Sequence, residues 1–334
     1  MKVKDPEFVF ERVEKYLKDN IYPSRYRQTL DIPQWRYHES TSDDMINDAW
    51  KRDYPDENWD VFTIPQSWGG YDKVAWFRSE IEIPASWRGR DLLIRLVPGP
   101  RDGGESTAEG LLYVNEKAVQ AVDIWHEEVI LDEKLRTENK LFLALKVWSG
   151  VLGVPEKRRF KTAQLVHFDR RVERFCFLAK NLLDCAKILP DGDLKKISLR
   201  EILNRAFGKI NFLNLYDENY YKSVYEALNY LENERKRLAE YHELKPHVYG
   251  LGHSHIDMAW LWRLNATREK ASRTFSTVLN LMKQYPEYKF RHSSLEFRRV
   301  LFRSERRSSG CFCFCQRTDP QRPLGNYRWH VGGI

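Results

Sequence analysis

The chain has little cysteine, no long apolar run and no visible sorting signal. Five of its 334 residues are cysteine, and three of those crowd into Cys311-Phe312-Cys313-Phe314-Cys315. That leaves Cys176 and Cys185 for the first 290 residues. So few cysteines exclude a disulfide framework and suit free thiols in a reducing compartment. No stretch of 18 or more apolar residues occurs, so no membrane-spanning helix and no membrane partner are expected. The opening Met1-Lys2-Val3-Lys4-Asp5-Pro6-Glu7 lacks the apolar core of a secretory signal. A cytoplasmic location is the expectation, and the glycosylation triplet Asn265-Ala266-Thr267 is read as chance. No internal repeat is present. What the chain does have is 42% hydrophobic and 13% aromatic residues, ample for one large core or two to three smaller ones.

The net charge of +7 invites a nucleic-acid partner, and its distribution removes that reading. Residues 291–334 hold nine arginines, no lysine and three acids, a net +6. The other 290 residues carry 46 basic and 45 acidic side chains, a net +1. The tail therefore differs in composition from the body. Its stretch Ser293-Ser294-Leu295-Glu296-Phe297-Arg298-Arg299-Val300-Leu301-Phe302-Arg303-Ser304 resembles a translated sequencing-library adapter. Residues 305–323 read like out-of-frame translation, so 295–334 is expected to be a non-native tail. The Cys-x-Cys-x-Cys run has no second ligand cluster to complete a soft-metal site.

Periodicity divides the body. Phe10, Val13, Leu17 and Ile21 recur at helical spacing and Pro23 stops them, which predicts a helix over 7–19. Residues 30–70, with Trp35, Trp50, Trp59 and Trp68, are expected to wind over a domain surface with their indoles buried. From Val74 to Trp148 the period changes to two. Phe77, Ser79, Ile81 and Ile83 alternate with Trp76, Arg78, Glu80 and Glu82, and short strands recur at 92–96, 111–114 and 141–147. Pro84, Gly89-Arg90-Asp91, Asp102-Gly103-Gly104 and Asn115-Glu116 supply turns, so the pattern predicts an antiparallel β-sandwich. Residues 176–244 return to helical spacing. Ser198 and Glu201 have the spacing of a capping box, Leu203, Phe207 and Ile210 follow on one face, and Val224, Leu228 and Leu231 mark another helix. The charged run 232–237 is a solvated face.

The densest chemistry lies in His253-Ser254-His255-Ile256-Asp257-Met258-Ala259-Trp260-Leu261-Trp262. The preceding Val248-Tyr249-Gly250-Leu251-Gly252 reads as a buried strand whose glycines admit a close neighbour. A polar cluster at the end of such a strand is where α/β folds put their chemistry. Imidazole and carboxylate suit a divalent metal, and indole faces suit sugars or cations. The structural alternative is a cap or a hydrogen-bonded core group. Ala271, Phe275, Val278, Leu279 and Met282 form a packing stripe on the next helix, with Lys270, Arg273 and Lys283 facing elsewhere and Glu269 and Glu287 in solvent.

This segment, with Arg273-Thr274-Phe275-Ser276-Thr277-Val278-Leu279 and Tyr285-Pro286-Glu287-Tyr288 after it, resembles the opening of the catalytic domain in family 38 glycoside hydrolases, the class II α-mannosidases. The agreement is ungapped and stops near Ser294. Glu109-Gly110-Leu111-Leu112-Tyr113-Val114-Asn115 likewise resembles the jelly-roll module of cytosolic and bacterial members. The resemblance implies His255 and Asp257 as metal ligands for zinc or cobalt, and Trp260 as the floor of the pocket for the cleaved mannose. It implies retaining hydrolysis of α-mannosides or mannose-containing oligosaccharides, and homo-oligomeric full-length relatives. The family's nucleophile and two further ligands fall beyond the matching region, so no catalytic residue is assigned and an inactive amino-terminal fragment is expected. His253-x-His255 also suits an amidohydrolase-type metal site, against which the Trp-rich continuation argues. A stand-alone carbohydrate-binding or interaction module is the other alternative. The expected fold is multidomain α+β: a helical and extended segment at 1–45, a galactose-binding-like β-sandwich at 46–175, a helical connector at 176–244, and the first β/α unit of a truncated α/β barrel-like catalytic domain at 245–294.

Overall fold

The computed structural model describes residues 7–41, 46–99, 108–151, 157–240, 250–260 and 262–292, and the backbone of two strands within 312–332. The turn at Asp102-Gly103-Gly104, the lead-in Val248-Tyr249 and the adapter-like stretch from Ser293 to Ser304 lie outside these residues. In chain order, helix α1 (Glu7–Tyr16) widens into a π-helical turn at Leu17–Ile21. Then come β1 (Tyr26–Asp31), β2 (Gln34–Thr41), β3 (Asp60–Thr63), β4 (Gln66–Trp68), β5 (Lys73–Glu82) and β6 (Leu92–Val97). They are followed by β7 (Glu109–Val114), β8 (Lys117–Val122), β9 (Glu128–Ile130), β10 (Lys140–Trp148), β11 (Arg158–Phe160) and β12 (Thr162–Phe168). Helices α2 (Arg170–Ile188), α3 (Leu194–Gly208) and α4 (Glu218–Glu240) come next. The remainder is β13 (Gly252–Ser254), α5 (Leu264–Gln284), β14 (Phe290–His292), β15 (Phe312–Arg317) and β16 (Tyr327–Gly332). The fold is α+β, with an N-terminal helix, antiparallel sheets and helices. No closed barrel is present among the described residues. No helix among them is long and apolar enough to cross a membrane.

The chain divides into two compact units. One comprises Met1–Leu30, Ser86–Ile94 and Gln164–Val248. In it, the N-terminal helix and α2 to α4 share a single apolar core. Phe10, Val13, Leu17 and Ile21 are buried there as their spacing predicts, with Phe175, Leu203, Phe207, Val224, Leu228 and Leu231. Aspartates start the helices. Asp169 accepts from the Arg171 and Val172 amides at 3.0 and 3.2 Å, Asp193 from Lys195 N at 2.7 Å, and Asp217 from Tyr220 N at 2.7 Å. The expected capping box is thereby corrected. With Asp193 already capping α3, Ser198 and Glu201 sit inside the helix rather than at its start. Burial drives the Cys176 thiol up to about 12, and Cys176 and Cys185 are both free.

The second unit comprises Asp31–Ala85, Arg95–Ala163 and Tyr249–Ile334. Its centre is a six-stranded sheet in the order β3-β2-β5-β10-β7-β8. The longest ladder joins β5 and β10, from Lys140 opposite Glu82 to Trp148 opposite Val74. Asn115 and Glu116, both at positive φ, make the tight turn between β7 and β8. The predicted alternation along β5 holds for one face only. Val74 to Arg78 are all buried, because residues 46–59 cover the other face. There the Trp76 indole donates to Ile46 O at 2.8 Å, and the Arg78 guanidinium donates to the carbonyls of Lys51, Arg52 and Tyr54 and pairs with Asp56 at 2.6 Å. The Trp-rich segment therefore does wind over a surface at 46–59, while 34–41 and 60–68 supply strands of their own. Trp35 and Trp68 are buried because their indoles find the carbonyls of Ile32 and Pro98 at 2.9 and 2.8 Å.

After the helices, β13 and β14 pair in parallel, Gly252 opposite Phe290 and Ser254 opposite His292, with α5 between them. This is a β-α-β crossover. The strand is shorter and more open than the sequence suggests. Leu251 is exposed, and among the described residues β13 has only β14 beside it. Gly252 meets the expected need for a close neighbour, and that neighbour is Tyr288. A Cβ at 252 would collide with the Tyr288 phenol.

Candidate functional site

The loop between β13 and α5 is shaped by one hydroxyl. Thr267, buried in the first turn of α5, accepts from the Ala259 amide at 3.2 Å and from the Trp262 indole at 3.1 Å. Its own proton reaches toward Asp257 O at 3.5 Å. Ala259 takes a positive φ of 53° in this tight loop. The result holds Asp257, Trp260 and Trp262 on one short, tied segment.

His255 and Asp257 meet on it. His255 Nε2 lies 2.9 Å from Asp257 Oδ1, and both side chains are about half exposed, at 55% and 51%. One imidazole nitrogen and one carboxylate oxygen at that separation are donors a divalent cation accepts. Among the described residues, no group of three or more His, Cys, Asp or Glu is arranged to hold a metal. Among the described residues, His255 and Asp257 would supply half of a tetrahedral set. Nearby, His292 Nδ1 is 2.8 Å from Ser254 Oγ. Burial first, then the charges of His255 and His253, hold the His292 pKa below the usual imidazole value.

Trp260 and Trp262 stand edge to face, with centroids 5.5 Å apart, and both border a cavity of about 410 Å³. Trp260 is 65% exposed at its mouth. The opposite wall comes from the six-stranded sheet, with Glu109 of β7 and Lys146 and Trp148 of β10. His255 and Asp257 are not among the lining residues.

Around the cavity, α5 is joined to the sheet through charge. Lys270 Nζ pairs with Glu109 at 2.6 Å, Arg273 pairs with the same carboxylate, and Lys146 pairs with Glu269 at 3.0 Å. Farther along, Thr277 Oγ1 accepts from Ala121 N at 2.9 Å and Asn280 donates to Gln120 at 3.0 Å. Two readings of the sequence are corrected here. Glu269 is not left to solvent, and Arg273 is buried rather than facing away. Both changes have the same cause, since β7 and β10 present a complementary charge to each. Glu109, Lys146 and Trp148 carry no mark in the sequence that would link them to residues more than a hundred positions later. Alternation along the strands was the sole local signal, and it does not name a partner.

Residues 245–309 match the family profile described as glycosyl hydrolases family 38 N-terminal domain. Alpha-mannosidase G of Dictyostelium discoideum is 25% identical over 88% of this chain and 27% of its own length. Alpha-mannosidase 2C1 of Mus musculus is 27% identical over 70% of this chain and 22% of its own. The homology to α-mannosidases is distant and at family level, and the chain spans about a quarter of the length of these curated relatives. Among solved structures, Bacteroides uniformis β-glucuronidase is similar at 15% identity over 42% of this chain and 18% of its own, with a TM-score of 0.34, too low to carry an argument.

Proposed function

We propose that this chain is the amino-terminal part of a retaining, metal-dependent α-mannosidase acting on α-mannosides in the cytoplasm. In this reading the six-stranded sheet belongs to a jelly-roll-like module over 46–175, helices over 176–244 connect it onward, and 245–294 begin a barrel-like catalytic domain. Residues 295–334 are read as a non-native tail on their composition, although the family match runs on to residue 309. The observation that carries the reading is the His255–Asp257 pair at 2.9 Å, standing after the first strand of a β-α-β unit whose sequence matches the family profile.

His255 and Asp257 would hold a zinc or cobalt ion, which when bound supplies a Lewis-acid grip on adjacent sugar hydroxyls. Trp260, three residues after Asp257, offers an exposed indole face. Thr267 keeps the loop in one shape, so that the two donors stay within reach of one cation. A retaining glycosidase also needs two carboxyl groups roughly 5–5.5 Å apart. Glu269 is committed to Lys146, and no residue here is assigned as nucleophile.

Two measurements on the 334-residue chain test this. Calorimetric zinc titration should show weak, chelator-reversible binding that is lost in His255→Ala and in Asp257→Asn. Zinc binding indifferent to both substitutions would remove the reading's basis. An aryl α-mannoside should not be turned over above buffer background, and measurable turnover would refute the fragment assignment.

A further inference from the structure

The cavity beside Trp260 is not explained by the metal pair, since neither His255 nor Asp257 borders it. Its volume of about 410 Å³ lies within the roughly 300–1,000 Å³ typical of small-molecule sites. Its composition narrows the ligand. Three indoles line it, those of Trp148, Trp260 and Trp262. Three acids, Asp72, Glu109 and Glu269, face three bases, Lys146, Arg263 and Arg273, so the lining charges cancel. Most of them are also satisfied locally, by the Lys146–Glu269 pair and by the clasp of Glu109 on Arg273 and Lys270. An anionic or cationic ligand would find no unbalanced charge to neutralise and would displace an existing pair. A neutral molecule with an apolar face and a polar rim would disturb none of these.

Two of the three indoles, Trp148 and Trp262, are fixed in place. Trp148 donates its Nε1 proton to Asp72 at 2.9 Å. The Lys270 ammonium lies 5.5 Å from the Trp148 ring centroid and 4.6 Å from that of Trp262, so one cation bridges the two rings. Glu109 in turn anchors Lys270. The rings cannot collapse onto each other without expelling a paired charge, and the space between the walls is thereby preorganised.

We propose that this cavity is a pyranose subsite, separate from the position at the metal pair. Its sheet-side wall is Trp148, so the module that precedes the catalytic segment would contribute directly to sugar recognition. Trp260 lies three residues after Asp257 and lines this cavity, so the occupant would be a second sugar ring of the same oligosaccharide. That last step rests on the mannosidase reading. The neutral-pyranose chemistry does not.

The test uses the 334-residue chain and an α-linked mannotriose, followed by tryptophan fluorescence and calorimetry with and without chelator. Binding should survive chelation and Asp257→Asn, weaken about tenfold in Trp148→Ala, and stay within about threefold of the parent in Trp148→Phe, where an aromatic face remains. Circular dichroism and an unchanged melting profile identify variants that retain the fold. Loss of binding in Trp148→Ala alone supports the subsite even if zinc titration of the parent is flat, an outcome that removes the metal reading and not this one. Binding that needs the metal, disappears in Asp257→Asn and ignores Trp148→Ala overturns the subsite and leaves the metal reading intact. Absence of mannotriose binding also overturns it, as does a Trp148→Phe variant no better than Trp148→Ala.

Discussion

Helices α1 to α4 bury Phe10, Phe175, Leu203 and Leu231 against one another, whereas the buried residues of α5 include Thr267, Arg273, Ser276, Thr277 and Asn280. The first core is closed by apolar area, which needs shape but no particular partner. The second is closed by directed contacts to Glu109, Gln120 and the Ala121 amide, each of which fails if one atom is missing. The buried Ser276 hydroxyl has no hydrogen-bond partner among the described residues. Apolar packing around α5 includes Ile256 and Ala271 with Phe275 against them, and Val278. A helix whose buried surface is largely polar depends on what surrounds it, and this one carries the loop with His255, Asp257 and Trp260.

Four substitutions would break or sharpen that contrast. Phe175→Ala should cost the most, about 3–5 kcal/mol, because a fully buried ring leaves a cavity in a tight helical core. Denaturant unfolding followed by far-ultraviolet dichroism reads it, and a loss below about 1 kcal/mol would mean the core is looser than its burial implies. Glu109→Gln should cost about 2 kcal/mol, less than the roughly 3–5 kcal/mol of a fully buried pair, because the carboxylate is partly solvated. Hydrogen exchange should then show the α5 amides opening while β5 and β10 keep their protection. Uniform loosening of sheet and helix would erase the distinction drawn above. A smaller change is Thr277→Val, about 1 kcal/mol for the lost hydrogen bond to Ala121 N. Its companion Ser276→Ala should be neutral or mildly stabilising, and a cost equal to that of Thr277→Val would reveal a partner for the Ser276 hydroxyl.

Much of the fold was legible because its determinants are local. The stripe Phe10, Val13, Leu17, Ile21 faces one core as its spacing requires. Asn115-Glu116 turns the chain between β7 and β8, as read from composition alone. His255 and Asp257 are two residues apart, so their meeting needs only a short loop. Where the reading failed, the deciding group was distant or in competition. Ser198 has the right spacing for a cap, yet Asp193 starts the helix five residues earlier. Arg78 lies in a strand pattern that predicts solvent, yet residues 46–59 fold over it. Trp148 meets the environment of Lys270 across more than a hundred residues, and no periodicity encodes that encounter.

Thr267 also accounts for a detail that composition left as an accident. The triplet Asn265-Ala266-Thr267 has the form that oligosaccharyltransferases recognise, but its third side chain is sequestered and already engaged with the amide of Ala259 and the indole of Trp262. The threonine earns its place as a knot in the backbone, not as an address label for a glycan. Serine could tie the same knot at the cost of a methyl group, whereas valine would keep the bulk and let the loop come undone.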